Sequence, residues 1–164
     1  MPACTSATLV EDQLTDPKTI TALGLGTVRF EYAQWVNRDE EDLAMAKTNE
    51  ASWIHALGGA FLARVAERGF SGTENQTRVD VTVLDLDPGS RSTRFWIGFG
   101  AGSGTAAVRA DAAGHGSFRM NGTITHGDWG GDFVRVMEKL GSAIAEHLVK
   151  LAKGTSEAST GPDS

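Results

Sequence analysis

Phe133, Met137, Leu140, Ile144, Leu148 and Leu151 recur at intervals of four, three, four, four and three, which an α-helix winds into one apolar stripe. A stripe of that length needs a partner surface within the chain, so a closing helix over about 133–151 must pack on a core built by the residues before it. Asp132 is the expected N-cap of this helix.

A second stripe precedes it. Ile54, Leu57, Phe61 and Val65 fall on one face of a helix over about 49–68, widened by Trp53 and Ala60. Thr48 or Asn49 can cap its start, Glu50 suits the positive end, Gly69 can take the left-handed position after its last turn, and Phe70 can close that cap. Gly58 and Gly59 inside the helix each cost about 1 kcal/mol relative to Ala. That cost calls for a packing reason such as close approach to a strand.

Between and before the helices the apolar period changes to two. Val28, Phe30 and Tyr32 alternate with polar or small residues, and the acidic run from Asp39 to Asp42 reads as a solvated connection. Val79, Val81 and Val83 begin a strand over 78–86 on one face. The apolar face then swaps near Leu84, so the strand ends, bulges or becomes buried on both sides there. Two more strands, over 106–112 and 118–124, flank a Gly114-His115-Gly116 turn and predict an antiparallel hairpin.

The expected order is therefore β-α-β-β-β-α, an α/β domain of the α+β kind: a small mixed sheet with two amphipathic helices packed on one face. One domain over 20–153 accounts for the apolar pattern. Residues 1–19 read as an extended or partly ordered arm, and 154–164 lack the apolar content to order themselves.

Charge narrows the partners. The chain carries 15 basic and 21 acidic residues, a net charge of −6, which disfavours attraction to nucleic-acid backbones. No stretch reaches the roughly 20 consecutive apolar residues of a membrane-spanning helix. The lone Cys4 excludes an internal disulfide and a multi-cysteine zinc site. It is followed by Thr5, Ser6 and Ala7, a small polar run like that after the lipidated cysteine of bacterial lipoproteins. Met1-Pro2-Ala3 has no apolar leader, so two readings of Cys4 stay open: a lipidation site behind a leader upstream of Met1, or an incidental thiol.

The most unusual segment is RSTRFWIGFGAGSGT, Arg91 to Thr105. Gly98, Gly100, Gly102 and Gly104 alternate, and in an extended chain they would bare one strip of backbone. Such a strip admits a second backbone, a ring or a ligand, with Arg91, Arg94, Phe95 and Trp96 supplying charge and stacking area. A tight bulged connection relieved by glycines explains the same pattern.

The run from Pro88 to Gly102, preceded by the Leu62 to Phe70 helix end, resembles a family of uncharacterised proteobacterial lipoproteins. That family is a domain of unknown function with an arginine-rich turn leading into Gly-Phe-Gly-Ala-Gly. More distantly it is similar to the periplasmic domain of the curli-secretion channel lipoprotein. The resemblance implies a place on the periplasmic face of the cell envelope, non-enzymatic work, and lipid at Cys4; without a leader upstream of Met1 the chain would be cytoplasmic.

Catalytic patterns are missing. Neither G-x-x-x-x-G-K-[ST] nor G-x-G-x-x-G is present, and there is no nucleophile elbow around Ser103. His55, His115, His126 and His147 are dispersed, so no metal site and no cofactor are expected. Two functions stay open. The first is a non-enzymatic envelope domain that binds a protein partner or itself through a sheet edge and the Arg91–Gly104 segment. The second is a small-molecule binder or unrecognised hydrolase with a pocket at Asp85, Asp87 and the glycine strip; an ion pair fixing the turn is the plainer account of those two carboxylates.

Overall fold

The computed structural model describes residues 4–34, 40–87, 103–125 and 129–154. The elements are β1 (Cys4–Leu14), β2 (Ala22–Phe30), α1 (Glu40–Glu67), β3 (Gln76–Asp87), β4 (Ser103–Ala112), β5 (Gly116–Thr125) and α2 (Trp129–Ala152), with short 3-10 turns at Pro17–Thr19 and Tyr32–Gln34. The strands form one mixed sheet in the order β1-β5-β4-β3-β2. Only the β2–β3 pair is parallel, as its connection through α1 requires, and the other three pairs are antiparallel.

This is the small mixed sheet with two helices that the periodicities predict, with one strand more. The segment expected to be an extended arm supplies β1, an edge strand paired along its length with β5 from Cys4–Thr125 to Leu14–Gly116. Its alternation is too polar to announce a strand: Ala7, Leu9 and Leu14 are its only half-buried apolar residues described on the helix side.

One face of the sheet carries Val79, Val81 and Val83 of β3, Ala106, Val108 and Ala110 of β4, and Phe118 and Met120 of β5, all buried. Trp53, Leu57, Phe61 and Val65 of α1 and Phe133, Met137, Leu140, Ile144 and Leu148 of α2 complete that core. On the opposite face Arg119 and Asn121 are exposed, and Arg109 and Asp111 are half-buried. Both helices thus lie on the same side.

The helix ends differ from expectation at their starts. Helix α1 begins at Glu40, so Glu40 to Asp42, placed in a connection, belong to the helix, while Asp39 lies outside the described residues. Asn49 is then interior, and its side-chain amide donates to Met45 O at 2.9 Å instead of capping. Asp132 likewise sits inside the first turn of α2, which begins at Trp129. The end of α1 is as expected: Gly69 has φ +78°, Phe70 N donates to Val65 O and Gly69 N to Ala66 O, the two bonds of a Schellman cap.

Glycines set the layer spacing. A Cβ on Gly141 of α2 would lie 2.1 Å from Leu57 O, so the two helices cross backbone against backbone there. Gly58 has the strand neighbour its position calls for, with Leu25 Cδ2 of β2 2.9 Å from its would-be Cβ, whereas Gly59 meets nothing within 4 Å.

Candidate functional site

The sheet has two edges of different character. At β2 the pairing with β3 shifts between Leu25 and Val28, and Leu23 N donates to Phe70 O at 2.8 Å, so the chain leaving α1 covers part of that strand. At the other end β1 spends one side of its backbone on β5. Among the described residues no strand pairs with its outer side. A bulge at Val10, between Leu9 and Glu11, interrupts it and leaves the Val10 side chain 55% exposed.

A groove of about 460 Å³ runs beside this edge. Ala7, Thr8 and Leu9 of β1 and Met120 of β5 line it on the sheet side; Lys139, Ser142, Ala143, Glu146, His147 and Lys150 of α2, with Arg64 of α1, line the helix side. Spacings of three and four between Lys139, Ser142, Ala143, Glu146 and Lys150 put those residues on one lateral stripe of α2, beside the buried stripe.

Two polar ties hold the walls. Arg68 Nε and Arg64 Nη1 donate to Glu146 Oε1 at 2.9 and 3.2 Å, clamping α1 to α2. Burial opposes ionisation of Glu146, but hydrogen bonds from Arg68 and Arg64, and their charges, hold its carboxyl below the usual range. His147, only 6% exposed, sets Nε2 2.9 Å from Asp12 Oδ2 and packs its ring on Phe118 at a centroid distance of 4.7 Å. The imidazole–carboxylate pair has the parts of a catalytic dyad. With its ring against Phe118, however, it serves to pin β1 to α2.

The sequence-predicted residues fall elsewhere. Arg91, Arg94, Phe95, Trp96, Gly98, Gly100 and Gly102 lie outside the described residues, as does His126. Gly104 is in β4 opposite Ile124. The face swap in β3 is a bulge at Leu84: Val83 pairs with Val108 and Asp85 with Ala107, so Leu86 turns to the core and Asp85 to the helix-free face. Asp85 accepts from Leu86 N at 2.9 Å. It borders a shallow concavity of about 380 Å³ with Leu84, Ala107, Arg109, Arg119 and Asn121. Asp87 pairs with Thr105, and Ser103 and Cys4 both face Thr125, so β3 ends and β4 starts at the same end of the sheet as Cys4. Among the described residues no group of three or more His, Cys, Asp or Glu side chains could hold a metal ion.

Sequence reasoning missed the groove. His147 was legible as a neighbour of the α2 stripe, three residues after Ile144, but its partner Asp12 lies in a segment with no strand signal.

Fold and groove together define a small α+β domain with a sheet edge that no described strand pairs with, flanked by a helix. The chain belongs to the family described as a domain of unknown function (DUF4410), whose model matches residues 29–116. Among solved structures it is similar to a PelC dodecamer from Paraburkholderia phytofirmans, at 8% identity over 87% of this chain and 98% of that one, with a TM-score of 0.39. No curated protein matches it significantly.

Proposed function

We propose that this domain is a non-enzymatic binding module of the bacterial cell envelope that takes an extended segment of a partner protein by strand addition at β1. The observation that carries the reading is the coincidence of a strand edge, unpaired among the described residues, with a groove along it. An added strand gains main-chain hydrogen bonds from the outer side of β1, while its alternate side chains enter the space between β1 and α2. Two of the polar groups lining the groove are held in place, Glu146 by two arginines and His147 by Asp12. That arrangement suits a rigid binding wall better than proton transfer.

The envelope address rests on the Arg91 to Gly104 motif and the residues after Cys4. In this reading the Arg91–Gly104 stretch adds contacts to the partner, and Cys4 carries lipid. Fractionation of the host cell with mass spectrometry of the N-terminus tests the address.

The binding mode is tested by selecting ligands from a displayed peptide library and mapping amide hydrogen exchange. Protection of residues 5–9, lost in Thr8→Pro while the circular dichroism spectrum is kept, is the expected result. A footprint confined to other strands overturns the reading. A second copy of the chain at the same edge would register as concentration-dependent sedimentation.

A second reading, a small-molecule site, draws on the concavity at Asp85, where Arg109 and Arg119 sit directly opposite each other on β4 and β5. Arg109 Nε already donates to Asp111 Oδ2 at 3.2 Å, so a small anion bridging Arg109 and Arg119 would add to that pairing and ease the repulsion of two like charges in register. Titration with small carboxylates and phosphates, read by shifts at Arg109 and Arg119, tests it.

A further inference from the structure

We propose that the groove beside β1 selects an acidic segment, one whose carboxylates lie at two positions of the same strand face with a small or apolar side chain between them. The inference rests on the strand-addition reading and adds the chemistry of the occupant.

The charge of the groove is opposite to that of the chain. The whole protein carries a net charge of −6, yet the groove is lined by Arg64, Lys139 and Lys150 against one carboxylate, Glu146. Glu146 is already committed to Arg64 and Arg68. Among the described residues neither Lys139 nor Lys150 makes an ion pair. Lys150 lies in the last turn of α2, where a cation complements the helix end with or without a ligand. Lys139 is in the middle of the helix and has no such reason for its charge.

Spacing makes the pattern specific. Lys139 and Lys150 stand eleven positions apart on one stripe of α2, about 16 Å along the axis at 1.5 Å per residue. An extended strand advances about 3.3 Å per residue, so same-face positions four residues apart span roughly 13 Å, a distance two flexible lysine side chains on that stripe can bracket. The same groove offers Ala7, Leu9, Met120 and Ala143, which suit a small or apolar side chain. The matching segment reads acidic, any, apolar, any, acidic. A basic segment in the same place would bring like charges together, which gives the groove discrimination as well as attraction.

The probes are three synthetic peptides: one alternating Thr with Asp, Val and Asp on the other face, its counterpart with Lys in place of Asp, and one with the two Asp residues exchanged for Ser. Binding is read by fluorescence anisotropy at low and high salt, and the site by exchange protection of residues 5–9. The acidic peptide should bind about tenfold more tightly than the neutral one, with the preference shrinking at high salt. In the double variant Lys139→Glu, Lys150→Glu the order of the acidic and basic peptides should invert, a result that a folding defect cannot mimic. Equal binding of all three with β1 protected overturns the charge selection and leaves strand addition standing. Failure of every peptide to protect β1 overturns both.

Discussion

His147 Nε2 of α2 lies 2.9 Å from Asp12 Oδ2 of β1, joining the helix to the edge strand across 135 positions of sequence. The tie stands at the end of β1 beyond the Val10 bulge, where the strand has few apolar contacts of its own, and so fixes the edge on which the groove depends.

Removing Asp12 should therefore loosen β1. In Asp12→Ala the imidazole of His147 remains buried without its partner, a change that costs about 1–3 kcal/mol. Urea unfolding should reveal the loss, and amide exchange should speed up first in residues 4–14.

Gly141 and Gly59 should respond to the same substitution with opposite signs. Gly141→Ala drives a methyl group into Leu57 O and should destabilise the fold by about 1–3 kcal/mol as the helices separate. Gly59 is exposed with open space where its Cβ would lie, so Gly59→Ala should stabilise by up to about 1 kcal/mol through helix propensity. Thermal unfolding of the two variants beside the parent decides both.

Glu146 links stability to pH. Its folded pKa lies below the value of 4.5 it would have in an unfolded chain, so the native state favours the carboxylate. The stabilisation is fully present above about pH 4.5 and is lost as pH falls through the lower folded value. Asp80, whose carboxylate accepts from Thr27 N at 2.7 Å, has the same sign. Glu146→Gln should flatten part of the acid limb of a denaturation-against-pH curve; an unchanged limb would show that the two arginines contribute nothing to it.

Val10 separates binding from folding. Its side chain is largely solvated, so Val10→Glu should alter stability by no more than about 0.5 kcal/mol. A charged residue at an edge bulge discourages strand pairing and a carboxylate repels an acidic segment, so peptide capture at β1 should weaken. Loss of stability comparable to Asp12→Ala would mean that Val10 is part of the core.

Repeats of three and four determined α1 and α2, and alternation determined β3 to β5; the change of apolar face near Leu84 left a strand end, a bulge or two-sided burial open, and the β3–β4 register contains the bulge. These are local signals, because burial on one side imposes a period on neighbouring residues. The start of α1 escaped them: Glu40 to Asp42 are acidic, and a helix extends through such residues once packing downstream holds it. The groove escaped them entirely. Strand β1 is a strand because β5 offers it a hydrogen-bonding edge and α2 covers Ala7 and Leu9, and neither circumstance is written in residues 4–14. Tertiary structure alone brought Asp12 to His147, set Lys139 and Lys150 beside the β1 edge, and laid α1 on α2 through Gly141, since each pairing joins residues distant in sequence that no local pattern relates.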